Sequence, residues 1–150
     1  MKEHSLLIIE DNNEDYQTVV RALKKCGFSD HIHHCESGDE VMEYLQISER
    51  NSEKIITPNI PELIILDLNL PGMNGKEILL QIRQDEICKK IPVVILTTSK
   101  NERDVEECYA NGANSYIEKP VDMEKFFATI KQIKEYWFET NIFSKPVGIF

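Results

Sequence analysis

Short apolar runs alternate with amphipathic stretches along this chain, and the alternation repeats five times. The first run, Leu6-Leu7-Ile8-Ile9, is followed by Tyr16, Val19, Val20 and Leu23 at helical spacing, and Gly27 stands where a left-handed residue closes a helix. Residues 30–35 read as a weaker second strand. Ser37-Gly38-Asp39-Glu40 is then a capping box opening a helix through Val41, Tyr44 and Leu45. Leu63-Ile64-Ile65-Leu66 is apolar without interruption, the pattern of a strand covered on both faces of a parallel sheet. Asn74-Gly75-Lys76-Glu77 opens the next helix, with Ile78, Leu79 and Ile82 on one stripe. Val93-Val94-Ile95-Leu96 is the fourth strand, Ser99-Lys100-Asn101-Glu102 caps the helix after it, and Gly112 ends that helix. Residues 114–117 form a short fifth strand. Asp122 caps a last helix carrying Met123, Phe126, Phe127, Ile130, Ile133 and Trp137.

Five β–α units in series predict an open, doubly wound α/β domain: a five-stranded parallel sheet with helices on both faces. In such folds ligands sit outside the carboxyl ends of the strands, at the point where the strand order reverses. Strand one ends at Glu10 and Asp11, strand three at Asp67, strand four at Thr97, and strand five just before Lys119. Four polar groups thus converge on one rim. Residues 46–61 are a polar insert longer than an ordinary connection, and residues 140–150 form an apolar-rich tail with Ile142, Phe143, Val147, Ile149 and Phe150. The expected plan is a single domain over 1–150, with its core at about 5–138 and a C-terminal extension at 139–150.

Composition narrows the function classes. The hydrophobic fraction of 41% and charged fraction of 29% are ordinary for a soluble domain. No apolar run approaches the roughly 20 residues that cross a bilayer, and Met1-Lys2-Glu3-His4-Ser5 lacks a signal-peptide core, so a cytoplasmic location is expected. A net charge of −9 argues against a nucleic-acid surface. It fits carboxylates gathered around a divalent cation, and equally a solvated acidic surface. Cys26, Cys35, Cys88 and Cys108 are widely spaced and predict reduced, partly buried thiols rather than a disulfide or zinc framework. His31, His33 and His34 invite a metal reading, but strand alternation sets His34 opposite the other two, so a surface strand is expected.

The rim residues suit phosphoryl chemistry on a carboxylate. Mg²⁺ takes oxygen ligands and typically uses one or two carboxylates, which Asp11 and Asp67 can supply, with Glu10 a third through water. A carboxylate attacks an anionic phosphoryl group poorly unless charge is screened. A metal on one side and the Lys119 ammonium on the other would screen it, and Thr97 offers a hydroxyl to the new phosphoryl oxygens.

Ile8-Ile9-Glu10-Asp11-Asn12, the block Ile65-Leu66-Asp67-Leu68-Asn69-Leu70-Pro71-Gly72-Met73-Asn74-Gly75, Leu96-Thr97-Thr98-Ser99 and Tyr116-Ile117-Glu118-Lys119-Pro120 resemble the signature blocks of the receiver domains of two-component response regulators. The resemblance runs from about residue 5 to residue 135 and is most specific around Asp67. It implies the flavodoxin-like strand order 2-1-3-4-5, with Asp67 as phosphoacceptor. Mg²⁺ would be held by Asp11, Asp67 and the backbone carbonyl of Asn69, with Glu10 in the same pocket. Lys119 would pair with the acyl phosphate, ahead of a cis bond to Pro120. Thr97 would swing toward the phosphoryl group and Tyr116 rotate inward behind it, although packing alone also explains an aromatic there. Thr98 is β-branched where such domains often carry alanine or glycine.

The function implied is a switch: a sensor histidine kinase phosphorylates Asp67, and the domain, with no output module following, signals by protein–protein contact. The insert and tail resemble the small single-domain regulators of bacterial phytochrome-type kinases, which implies a homodimer with the apolar tail near its interface. Such a domain is no enzyme beyond its own phosphorylation and dephosphorylation. Two alternatives stand beside it. One is an aspartyl-phosphate phosphohydrolase like the haloacid-dehalogenase enzymes, which needs a second Asp where this chain has Asn69; an amide delivers no proton. The other is a binding module independent of phosphorylation, against which stands the presence of every expected site residue.

Overall fold

The structure is a computed structural model that describes residues 3–49 and 59–144. Five strands, β1 (Ser5–Ile9), β2 (His31–Cys35), β3 (Leu63–Leu66), β4 (Val93–Thr97) and β5 (Ser115–Glu118), form one parallel sheet in the order β2-β1-β3-β4-β5. The order reverses between β1 and β3, which pair from Leu6↔Leu63 to Ile9↔Leu66. The helices are α1 (Asn13–Lys25), α2 (Gly38–Tyr44), α3 (Gly75–Gln84), α4 (Glu102–Ala110) and α5 (Met123–Glu135).

Period-two alternation sorts the central strands into two cores. Leu7, Ile9, Ile64, Leu66, Val93 and Ile95 pack against Val41, Ile78, Leu79, Ile82 and Cys108 from α2, α3 and α4. Leu6, Ile8, Leu63, Ile65, Val94 and Leu96 pack against Val19, Leu23, Phe126 and Ile130 from α1 and α5. β1, β3 and β4 thus bury side chains on both faces, at about 1.5–3 kcal/mol for each fully buried aliphatic. This explains their unbroken apolar runs.

Side-chain caps fix where each helix starts. Asn12, Ser37, Asn74, Asn101 and Asp122 each accept from a backbone N–H two or three residues on. Two details differ from the sequence expectation. Glu40 closes its box one residue further back, accepting from the Glu36 N–H rather than from Ser37. Asn101, not Ser99, caps α4, because the helix starts too late for the Ser99 hydroxyl, which donates to Asp104 Oδ2 at 2.6 Å instead. Gly27 and Gly112 hold φ of +91° and +99°, as helix-ending glycines should.

The apolar stripe of α5 changes phase at its end. The helix passes into a π turn, Tyr136–Thr140, whose wider turn buries Phe138 under the domain and leaves Trp137 half-buried against the same core. Phe138 is buried against Phe28 and His4, and Phe143 lies over Phe138 and Trp137. Val147, Ile149 and Phe150, and most of the 46–61 insert, lie outside the described residues. The insert begins as a single 3-10 turn, Ile47–Glu49. All four cysteines are free thiols, with Cys35, Cys88 and Cys108 buried. Among the described residues no helix is long and apolar enough to cross a membrane.

Candidate functional site

The carboxyl ends of β1, β3, β4 and β5 bring the expected rim residues together. Each is fixed by its own backbone: the Glu10 N–H donates to Cys35 O, the Asp67 N–H to Ile9 O, and the Lys119 N–H to Thr97 O, at 3.0, 3.0 and 2.7 Å. Lys119 then points its ammonium into a nest of carboxylates. Its Nζ lies 2.5 Å from Glu10 Oε1, 2.8 Å from Asp15 Oδ2 and 2.9 Å from Asp67 Oδ2. Glu10, Asp67 and Lys119 are all buried, whereas Asp11 is exposed at the mouth. One carboxylate oxygen from each of Glu10, Asp11 and Asp67 lies within 4.8 Å of the others.

The electrostatics follow from that crowding. Burial pushes the Glu10 carboxyl up to about 7, against the Lys119 hydrogen bond and with the help of the Asp67 charge. Burial also works against ionising Asp67. Its contacts with Glu10 and Lys119 and the Asn69 N–H outweigh it and hold the carboxyl below the ordinary aspartate value. Burial disfavours the Lys119 ammonium too, yet hydrogen bonds to Asp15, Glu10 and Asp67 raise its pKa. Asp67 is therefore an ionised carboxylate, buried and aimed at one cation.

Two close approaches shape the loop carrying Asp67. A Cβ on Gly75 would stand 2.5 Å from Asp67 O and 2.7 Å from Leu68 Cα, so only glycine lets α3 begin against this loop. Beside it, the Asn69 amide donates to Thr98 Oγ1 at 3.4 Å, across the mouth of the site.

Thr97 is fully buried at the end of β4, its hydroxyl accepting weakly from the Ser99 N–H at 3.5 Å. Tyr116 is half-buried, and its hydroxyl donates to Ser99 O at 2.8 Å, so it is tied to the loop after β4. That loop is tied in turn to α3: Ser99 donates to Asp104, and Asp104 and Glu107 accept from Lys76 Nζ at 2.6 and 2.7 Å. The Lys76 partnership holds both carboxyls below their ordinary values.

One expectation is corrected. The Lys119–Pro120 bond is trans, and no cis peptide bond occurs among the described residues. Trans is the ordinary preference of an X–Pro bond by about 0.5–1 kcal/mol, and Lys119 reaches its three carboxylates in that form. Asp15 was not among the expected site residues. It lies in the first turn of α1, where acidic residues are ordinary, so nothing in the sequence singles it out.

The donor set suits a hard divalent cation. Glu10, Asp11, Asp15 and Asp67 offer carboxylate oxygens only, and one ammonium leaves their charge unbalanced. Glu10, Asp11 and Asp67 would hold such a cation, whose charge would favour the ionised form of the Glu10 carboxyl that burial disfavours.

Fold and site together define a phosphorylation-type signalling domain, and comparison with known proteins gives the family. The response regulator receiver domain model matches residues 6–131, and the chain belongs to that family. It is similar to the probable methanogenesis regulatory protein FilR2 of Methanothrix harundinacea, with 37% identity covering 91% of this chain and 84% of that protein. It is similar to the response regulator Rcp1 of Synechocystis sp., with 36% identity covering 90% and 89%. The Mn²⁺-bound crystal structure of Rcp1 superposes with a TM-score of 0.81 at 34% identity, covering 93% and 98%. The phosphorylated cyanobacterial phytochrome response regulator RcpA superposes with a TM-score of 0.85 at 33% identity, covering 96% and 100%. The protein is thus the receiver domain of a two-component response regulator, a class whose partner is a sensor histidine kinase.

Proposed function

We propose that Asp67 is the phosphoacceptor of this receiver, with Mg²⁺ held by Asp11, Asp67 and the Asn69 backbone carbonyl and with Glu10 in the same pocket. The observation that carries the reading is the buried, ionised Asp67 carboxylate facing the Lys119 ammonium, within one cation's reach of Glu10 and Asp11. An Asp67 oxygen attacks the phosphorus of a phosphohistidine on the kinase. The new O–P bond forms as the P–N bond breaks, and the histidine nitrogen keeps the electron pair. Lys119 holds the attacking carboxylate and then pairs with the phosphoryl oxygens. Bound Mg²⁺ supplies further screening of the charge between carboxylate and phosphoryl oxygens. The position two beyond Asp67, where haloacid-dehalogenase-like phosphohydrolases carry a second Asp, is Asn69, whose amide delivers no proton to a leaving group.

The signal leaves through Thr97 and Tyr116. Thr97 turns its hydroxyl to the phosphoryl group and vacates space. Tyr116 gives up its bond to Ser99 O and moves into that space, so the face built from α4, β5 and α5 changes. Readout is by protein–protein contact in the cytoplasm. The similarity to Rcp1 and RcpA supports a phytochrome-type kinase as donor. We also propose a homodimer with the tail near its interface: Tyr136 and Ile142 are exposed apolar groups beside the π turn. Deletion of 140–150 then lowers the mass seen by light scattering, and an unchanged mass rejects the dimer proposal.

Intact mass after incubation with acetyl phosphate tests the chemistry. A gain of one phosphoryl group that requires Mg²⁺ and disappears in Asp67→Asn is expected. An adduct that persists in Asp67→Asn overturns the assignment.

A further inference from the structure

The three histidines of β2 do three different things. His31 is exposed and pairs with Glu3, and His33 stacks on Tyr44 at 3.7 Å between centroids. His34 projects to the other face, toward the site. Its ring stacks on Tyr16 of α1, with centroids 3.6 Å apart and planes 6° from parallel, and its Nε2 lies 2.7 Å from Glu10 O. A carbonyl only accepts, so Nε2 is the nitrogen that carries hydrogen.

That carbonyl sits where the backbone ladder runs out. The Glu10 N–H still pairs with Cys35 O, but β2 ends at Cys35 and Ser37 already caps α2. The His34 side chain therefore takes over from the strand and fixes the Glu10–Asp11 peptide plane. Both carboxylates are launched from the residues flanking that plane. Glu10 has its own anchor in Lys119. Asp11 has no side-chain hydrogen bond or ion pair among the described residues, so its place depends on the backbone. Tyr16 holds the imidazole flat on the far side, one residue beyond the Asp15 that also contacts Lys119.

We propose that His34, oriented by Tyr16, is a positioning residue for the divalent cation: it holds the Glu10–Asp11 backbone so that both carboxylates face Asp67. The proposal rests on the metal reading given under Proposed function. Supporting groups of this kind typically contribute about 10–100-fold in metal affinity.

The test is Mg²⁺ titration of the full chain by calorimetry, without any phosphodonor, alongside thermal melting in chelator. His34→Leu is expected to weaken Mg²⁺ binding about tenfold, while His34→Gln, whose amide N–H reaches the same carbonyl, stays within about threefold of wild type. Where His34→Leu does not fold, His34→Asn replaces it, since its amide is one methylene too short to reach. Binding by His34→Leu or His34→Asn within twofold of wild type overturns the proposal. A Gln variant as weak as Leu also overturns it, because packing alone would then explain the loss. A wild type that binds no Mg²⁺ removes the metal reading itself, and this proposal with it.

Discussion

Lys119 Nζ lies 2.9 Å from Asp67 Oδ2, joining residues 52 apart in sequence at the buried base of the site. The same ammonium also holds Glu10 and Asp15, so one cation stabilises three carboxylates. Removing one partner of a buried ion pair costs about 3–5 kcal/mol because it leaves uncompensated charge. Lys119→Met is expected to lose about 3 kcal/mol in urea denaturation at pH 8 in chelator, the lower end because Glu10 can take a proton. The loss shrinks at pH 5. A loss equal at both pH values would reject the shared-charge account.

Glu10 gives the wild type its own pH dependence. Its carboxyl is raised by burial from 4.5 to about 7, so the folded state binds the proton more tightly than the unfolded chain. Stability that is present below about pH 4.5 is therefore lost as pH rises through 7, by on the order of 3 kcal/mol. Glu10→Gln is expected to flatten that decline in chelator-treated protein. Saturating Mg²⁺ is expected to do the same, since the cation favours the ionised carboxylate.

Gly75→Ala sets two effects against each other. Alanine in a helix gains up to about 1 kcal/mol over glycine, whereas forcing a methyl into a packed contact costs about 1–3 kcal/mol. With Asp67 O only 2.5 Å from the new Cβ, overpacking wins. The variant is expected to lose about 1–2 kcal/mol in denaturation and to accept phosphate from acetyl phosphate more slowly, because the Asp67 loop must move. Unchanged stability and rate would falsify the contact.

Arg83 clasps the far end of the domain. It donates to Gly112 O, Lys89 O, Ile91 O and Asn114 Oδ1 at 2.7–3.1 Å, joining α3 to the turns that precede β4 and β5. Arg83→Met strands these acceptors and is expected to cost about 3 kcal/mol. Arg83→Lys should recover little, as one ammonium cannot span four acceptors held by a planar fork. Full recovery by lysine would show that charge alone is what α3 needs there.

The thiols should separate by burial. Burial pushes Cys35 up to about 12 and Cys108 up to about 11, and Cys88 is fully buried, while Cys26 is partly exposed at the end of α1. At pH 8 a thiol reagent is expected to label one cysteine quickly and the remaining three only after denaturation. Cys26→Ser should remove the fast phase. Two fast thiols would place one of the buried set at the surface.

Much of this molecule was legible from local pattern. The apolar runs at 6–9, 63–66 and 93–96 became the three strands covered on both faces, because a segment buried on two sides has no polar positions to spare. The helix starts at Asn74 and Asp122 followed from side chains that satisfy free N–H groups, and the ends at Gly27 and Gly112 from positive φ. The rim of Glu10, Asp11, Asp67, Thr97 and Lys119 followed from one rule about strand ends in parallel sheets.

What sequence could not supply was contact between distant side chains. The phase slip that buries Phe138 and leaves Trp137 half-buried arises from a π turn that no periodicity announces. Ser99 lost its capping role to Asn101 because α4 starts late, and its hydroxyl donates instead to Asp104, which Lys76 holds from α3. Asp15 joined the site, and His34 reached the Glu10 carbonyl, only because β1, β2 and α1 converge there. By itself the sequence determined the elements, their order of burial and the chemistry at each strand end, since these depend on neighbours along the chain. Which side chains share one proton, one ammonium or one carbonyl was decided by tertiary structure, because hydrogen bonds and Coulomb interactions act over a few ångströms of space rather than along the chain.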